Sequence, residues 1–435
     1  MHKINSDFWV GLSGCIAIII SAFFLNGPLF TPDQKFWVAL ASAGTPMILV
    51  TAWQNKKRGH MHSNPPSLNW SYVFFASIVE YVITCLFLAV LYWIFRHTPE
   101  YGFQRGPVFY ARFFEGFEYV IWGVGILGFP YLLATYKWVP GAAEATGYRH
   151  LAASLVFCIL HRKPSSGQSS SAITLNIFTK NFDEIRSDKT FFLGQLVKFF
   201  FIPIMLAFFQ DQYNIFLKNT LYLQDCLNSR ANLGWLDLFH VTVNGIFTVD
   251  VGLATCGYLL CFRWLNNHIR SVEPTLLGWV AALLCYPPFR ILLGFYLLIP
   301  SEQSFLSLEN SFWRFILGAF AVASYLIYLS ATMSFGLRFS NLTNRGIISG
   351  GPYRWVRHPA YGAKNLAWVL VMAPAVFFQN DGSAISDSLF ALLSICGMSF
   401  LYYVRAITEE KHLLMDPDYQ KYFEKVKYRF LPGVW

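Results

Sequence analysis

Apolar runs long enough to cross a lipid bilayer recur from one end of this chain to the other, and that repetition leaves few folds open. About twenty apolar residues in a helix span the hydrocarbon core, where only helices and closed barrels satisfy their own backbone. Runs are expected near residues 8–25, 36–53, 70–95, 117–135, 191–209, 236–260, 275–299, 312–333, 365–378 and 388–403. The expected fold is therefore an all-α, polytopic transmembrane helical bundle of about ten spans. The first run is followed by no small-residue cleavage site and is expected to be a retained span. Only 13% of the residues are charged, about half the share usual in a soluble domain.

A net charge of +9 would suit a nucleic-acid partner if the cations formed one patch. They fall instead in alternate loops, the pattern of the positive-inside rule. With a cytoplasmic N-terminus, the inward tails and the loops 54–69, 136–190, 261–274 and 334–364 hold 24 of the 33 Lys and Arg. One outward loop, 96–116, dissents with Arg96, Arg105 and Arg112. The expected partner is the bilayer, with both termini cytoplasmic, and no nucleic acid. The eight cysteines lie mostly inside apolar runs, without CxxC or Cys/His ligand spacing. Neither a disulfide framework nor a metal site is expected.

Four segments follow: N-terminal transmembrane helices over 1–135, a cytoplasmic linker over 136–190, central transmembrane helices over 191–333, and a cofactor-binding domain over 334–435. The linker contains an apolar piece at 151–160, too short to span, and the Ser/Gly-rich run after His161. Polar residues within or beside spans (Glu80, Glu115, Glu118, Asp237, His240, Asn244, Asp250) imply either a polar cavity or interhelical hydrogen bonds. Cys285-Tyr-Pro-Pro-Phe-Arg290 is expected to kink the span over 275–299.

Chemistry is expected in two C-terminal patches. The first runs from Arg345 to Tyr361, where turn formers and cations crowd one loop. Pro359 biases His358 towards an extended conformation and gathers Arg357, His358 and Tyr361 at a helix N-terminus, a seat for a carboxylate. The second, Arg405-Ala-Ile-Thr-Glu409-Glu410, offers acceptors for an ammonium or for ribose hydroxyls. S-adenosylmethionine carries a carboxylate, an amine and a sugar, and would fit between the two.

Gly351-Pro-Tyr-Arg-Trp-Val-Arg-His-Pro-Ala-Tyr361, an apolar hairpin, Arg405-x-x-x-Glu409-Glu410 and then Asp418 to Pro432 together resemble the isoprenylcysteine carboxyl methyltransferase family. Membrane phospholipid N-methyltransferases share this C-terminal signature. The resemblance covers roughly residues 330–435. It implies a helical hairpin and a cytoplasmic tail enclosing S-adenosylmethionine, with a lipid or lipidated small-molecule or peptide acceptor entering from the bilayer. It also implies that Gly346, Ile347, Ile348, Tyr353, His358, Pro359, Tyr361 and Glu409 surround the cofactor. Arg345 stands where the eukaryotic enzymes have a histidine. Arg405 matches the arginine that meets the acceptor, and Glu410 is the nearest base should the acceptor be an amine or hydroxyl. The chain departs from the family at Gly362-Ala-Lys364-Asn365, where Lys364 is expected to snorkel at the surface, the alternative being a pairing with phosphate or an acidic acceptor. Two rivals remain: a sterol-reductase-like NADPH enzyme, whose Asn and Asp signature is missing here, and a non-enzymatic lipid carrier.

The charge bias makes a direct prediction: cysteines introduced at Ser349 and Ser383 label from opposite sides of the membrane. Labelling from one side would break the C-terminal hairpin.

Overall fold

The computed structural model describes residues 7–58, 69–99, 108–139, 182–229, 232–290, 310–377 and 385–434, with single positions between them. Of the expected linker over 136–190, residues 140–181, with the apolar piece and Ser/Gly run, lie outside the described residues, as do the turn at 378–384 and most of 291–309; residues 136–138 end one helix and 182–190 begin another. Among the described residues the chain is almost wholly helical. Eleven α-helices follow in order: α1 (Phe8–Phe24), α2 (Pro32–Lys57), α3 (Trp70–His97), α4 (Val108–Trp138), α5 (Phe182–Ser229), α6 (Trp235–Leu259), α7 (Leu276–Leu283), α8 (Ser311–Phe335), α9 (Pro359–Phe377), α10 (Ile385–Leu413) and α11 (Pro417–Lys425). Seven of them (α2 to α6, α8 and α10) are long and apolar enough to cross a membrane, and α1 is a shorter apolar helix. Large apolar side chains such as Leu86, Trp122, Leu393 and Phe400 stand exposed on these helices.

The boundaries depart from expectation at α4 and at α7. Residues 108–116 are helix and not loop, because α4 starts at Val108. Arg96, one of the dissenting cations, pairs with Glu118 at 3.5 Å and lies 4.4 Å over the Phe114 ring. Its position thus follows packing as well as topology. Helix α7 stops at Leu283, before the two prolines, so the expected kinked span is a short helix followed by turns.

The chain forms two compact units: Met1–Gln54, Met205–Cys261 and Glu273–Trp435 in the first, Asn55–Ile204 and Phe262–Val272 in the second. In the second, α3 and α4 pack along their lengths, joined by Tyr81 donating to the Gly125 carbonyl at 2.7 Å and by a hydrogen bond from Tyr136 to the buried Glu80. In the first, α8 packs on α9, α6 and α1. Interhelical hydroxyl bonds hold its other helices: Ser21 with Tyr213 at 3.0 Å, Thr248 with the Gln212 carbonyl at 3.0 Å, and Thr255 with the Met205 carbonyl at 3.1 Å. Of the polar residues noted in the sequence, Glu80 and Glu118 thus make packing contacts between helices. Asp237 caps its own helix, accepting from the Gly234 N–H at 3.0 Å.

Helix α1 approaches α8 at Gly11, where a Cβ would stand 2.3 Å from the Met333 carbonyl oxygen. Close helix approach of this kind requires a small residue. Gly11→Leu should therefore cost about 1–3 kcal/mol by overpacking and lower the melting temperature of the detergent-purified protein. Gly27→Ala, where a Cβ meets nothing within 4 Å, should leave it unchanged.

Candidate active site

Helices α9 and α10 face each other so that Tyr361 meets Glu409 and Trp368 meets Tyr402. The sequence order reverses between the pairs, so the two helices run against each other. Helix α9 can begin at Pro359 because its missing N–H is unpaired in any first turn. Just before it, the Arg357 N–H donates to the Tyr428 carbonyl and the His358 N–H to the Arg429 carbonyl, both at 2.9 Å. The C-terminal tail thus fixes the entry to α9.

Glu410 joins tail and entry through its side chain. Its carboxylate, only 4% exposed, accepts from Arg357 Nε at 2.7 Å, His358 Nε2 at 3.2 Å and Arg429 Nη2 at 2.9 Å. Arg357 also donates to the Val426 and Lys427 carbonyls at 2.8 and 2.7 Å. The hydrogen bonds Arg429 donates to Glu410 hold its guanidinium above its usual range. Glu410 is thereby committed to structure, and it is not among the residues that line the neighbouring cleft. The role of base expected for it gives way to a positioning role.

Glu409 turns the other way. Successive helical residues point about 100° apart, so one carboxylate serves the tail and its neighbour serves the cleft. Glu409 Oε2 accepts from the Tyr361 hydroxyl at 2.9 Å, and its side chain is 40% exposed. Behind Tyr361, the His358 ring lies parallel at 5.4 Å. Arg405, one helical turn before Glu409, has its guanidinium 5.1 Å from the Tyr361 ring and 5.2 Å from that of Tyr402. It donates to the Asn341 amide oxygen at 3.2 Å. Tyr361, Arg405 and Glu409 line one open cleft, whose cavity volume is about 50 Å³.

The remaining expected residues form its support. Ile347, Ile348 and Tyr353 pack in a buried cluster with Tyr419, Tyr422 and Val426. Tyr422 donates to the Tyr353 carbonyl at 2.7 Å. Burial, with Glu409 nearby, pushes the Tyr353 phenol well above its usual range. Gly346, at φ 114°, donates its N–H to Asn344 Oδ1 at 2.8 Å. Arg345 stands away from the cleft, donating to the Gly257 and Phe339 carbonyls at 2.8 Å each. Burial lowers its guanidinium from the usual value.

Sequence reasoning missed Asn341, Glu273 and His412, all of which line the cleft. His412 sits three residues beyond Glu409 and four beyond Thr408, so helical spacing could have found it. Its Nδ1 lies 4.0 Å from Glu273 Oε2. Glu273 accepts from the N–H of Thr275, the cap residue of α7, at 2.9 Å, and only the fold brings it to the cleft. Lys364, expected at the surface, faces inward, its ammonium 5.3 Å from the Tyr328 ring. Among the described residues no group of three or more His, Cys, Asp or Glu could hold a metal ion. No protein-family profile, characterised protein or solved structure matches the chain.

Glu410→Gln leaves two arginines without their buried counter-charge. It should destabilise by about 3–5 kcal/mol, the usual cost of breaking a buried pair, and expose the tail after Leu413 to limited proteolysis. Glu424→Gln, at an exposed position of α11, should change neither.

Proposed function

We propose that this protein is an integral membrane methyltransferase that uses S-adenosylmethionine to methylate a carboxylate on a lipid or lipid-tailed acceptor, with its termini and cofactor site on the cytoplasmic side. The observation that carries this reading is the convergence of Tyr361, Arg405 and Glu409 on one cleft, from sequence patches that resemble a methyltransferase signature.

The donor set suits a cofactor bearing both signs of charge. Glu409 offers a partly exposed carboxylate for an ammonium or for ribose hydroxyls, and the Tyr361 hydroxyl holds that carboxylate in place. The buried wall of Ile347, Ile348 and Tyr353 stiffens the loop beside it. When bound, S-adenosylmethionine supplies a methyl group already activated by its sulfonium.

The chain's own residues then have to orient the acceptor and exclude water. Arg405 is built for the first task. Its guanidinium lies within 5.2 Å of the Tyr361 and Tyr402 rings, with one amine on Asn341, which leaves further donors to grip a carboxylate in two places. A carboxylate acceptor needs no proton removed. That agrees with Glu410 being committed to Arg357, His358 and Arg429.

Calorimetry on the purified protein tests the reading. S-adenosylmethionine should bind and NADPH should not; binding of NADPH alone would sink the proposal. Glu409→Gln loses a charge-assisted hydrogen bond worth about 1.5–3 kcal/mol, so cofactor affinity should fall about ten- to hundredfold. Arg405→Lys should keep cofactor affinity while methyl transfer drops, since lysine lacks the planar fork.

A further inference from the structure

Glu273 lines the cleft but lies well ahead of the segment that resembles a methyltransferase signature. It is only 3% exposed. Its Oε1 accepts from the Thr275 N–H at 2.9 Å and from the Thr275 hydroxyl. Its Oε2 is buried and accepts no hydrogen bond among the described residues. His412 Nδ1 stands 4.0 Å from that oxygen, too far for a hydrogen bond. Thr343 lines the same cleft, and its Oγ1 is likewise buried without a hydrogen bond among the described residues. A buried carboxylate oxygen that lacks a donor is costly, and folded proteins leave few such groups.

The fold makes room for this carboxylate. At Gly278, in the first turn of α7, a Cβ would stand 2.5 Å from Glu273 Cγ and 2.6 Å from its Cδ. The Glu273 N–H donates to the Leu342 carbonyl at 2.8 Å, which ties it to residues 341–344. That segment runs beside α10. Asn341 accepts from Arg405 at 3.2 Å, and Asn344 donates to Asp416, past the end of the helix, at 2.7 Å. Thr343 is thereby carried towards the His412 end. Arg405, Thr408, Glu409 and His412 line the cleft from one face of α10. Seven residues separate Arg405 from His412, about 10 Å along the helix axis. The apolar stretch of α10 runs from Ser388 to Leu413, so Arg405 lies within it and His412 at its end. An acceptor with a lipid tail belongs at the Arg405 end, and a water-soluble group at the Glu273 end.

We propose that Glu273 Oε2 and Thr343 Oγ1 form a subsite for a primary ammonium, the one on the amino-acid end of the cofactor. The subsite stands on Glu273, Thr343 and the space left by Gly278; its assignment to the cofactor rests on the methyltransferase reading. An ammonium brings three donors and no acceptor, which suits two oxygens that lack a donor. The two carboxylates of the cleft then have separate tasks. Glu409, partly exposed and held by Tyr361, takes the ribose hydroxyls. Glu273, buried, is the counter-charge of the ammonium and selects for ligands that carry one.

Calorimetry on the full chain in detergent, with S-adenosylhomocysteine and with methylthioadenosine, tests this. Both nucleosides carry adenine and ribose, and only the first carries the ammonium. Glu273→Gln and Thr343→Val should each weaken S-adenosylhomocysteine at least about tenfold, as the loss of one charge-assisted hydrogen bond would give. Neither should change methylthioadenosine, whose binding also shows that the variants are folded. Glu409→Gln should weaken both nucleosides, since both have the ribose. An equal loss of both nucleosides in Glu273→Gln and Thr343→Val would make these residues scaffold and overturn the subsite. Tighter S-adenosylhomocysteine in Glu273→Gln would place the ligand's carboxylate there, and overturn it as well. If the unaltered protein binds both nucleosides and the two variants change nothing, only the subsite falls. If it binds neither, the methyltransferase reading falls and takes the assignment with it.

Discussion

One buried carboxylate organises the C-terminal region. Glu410 draws Arg357, His358 and Arg429 together from the loop before α9 and from the tail after α11. Taking such a group out of water is costly unless several donors replace the lost hydration, and here three do. Arg357 is in turn satisfied by two tail carbonyls, so neither partner is left half-paired. The consequence is geometric. With residues 357 and 358 fixed, the first turn of α9 is fixed, and Tyr361 is set against Glu409 and Arg405. Charge placed outside the cleft thus decides where charge stands inside it.

The adjacent glutamates divide this work by helical geometry alone. A one-residue step rotates the side chain by about 100°, so Glu409 and Glu410 diverge and meet only at His358, whose two ring nitrogens lie 3.9 and 3.2 Å from them. The same geometry sorts the facing helix. Tyr361 lines the cleft, and Lys364, one turn on, lies 5.3 Å from the Tyr328 ring, whose hydroxyl donates to Asp250. Two electrostatic environments therefore lie within two turns of one helix. Their walls are aromatic: Tyr361, Trp368 and Tyr402 pack edge to face at 5.2 Å between centroids. Such rings admit cations over their faces while excluding water.

Much of this was legible in the sequence. Length and hydropathy announced the long helices, and the density of turn formers and cations from Arg345 to Tyr361 marked the site loop. What resisted reading was the destination of each polar side chain. Glu410 looks like a base beside Glu409, yet its partner Arg429 is nineteen residues away, beyond another helix. Glu273 and Asn341 carry no local signal, because only tertiary packing carries them to the cleft. Lys364 was misread for a related reason. A lysine in an apolar run usually snorkels, and nothing nearby in sequence reveals the Tyr328 ring beside its ammonium. Arg345 matched a motif position, yet its guanidinium is consumed by the Gly257 and Phe339 carbonyls.

The helices that precede the signature are part of the site's foundation. At the end of α8, Asp7 pairs with Arg338 at 3.0 Å, both almost fully buried, and the Asp7 N–H donates to the Ser334 carbonyl at 2.9 Å. Ser334 also faces Gly351, at φ +60°, where a Cβ would come within 2.4 Å of its hydroxyl. The N-terminal helix thus grips the very residues on which the site loop turns. Helix α6 does the same from another side, since Gly257 allows the Phe339 carbonyl to approach where a Cβ would stand at 2.9 Å, and Arg345 ties both carbonyls together. The loop from Arg345 to Arg357 has little regular structure of its own beyond one short 3₁₀ turn. Its shape is imposed by α1, α6 and α8, so helices ahead of the signature set the geometry of the candidate site.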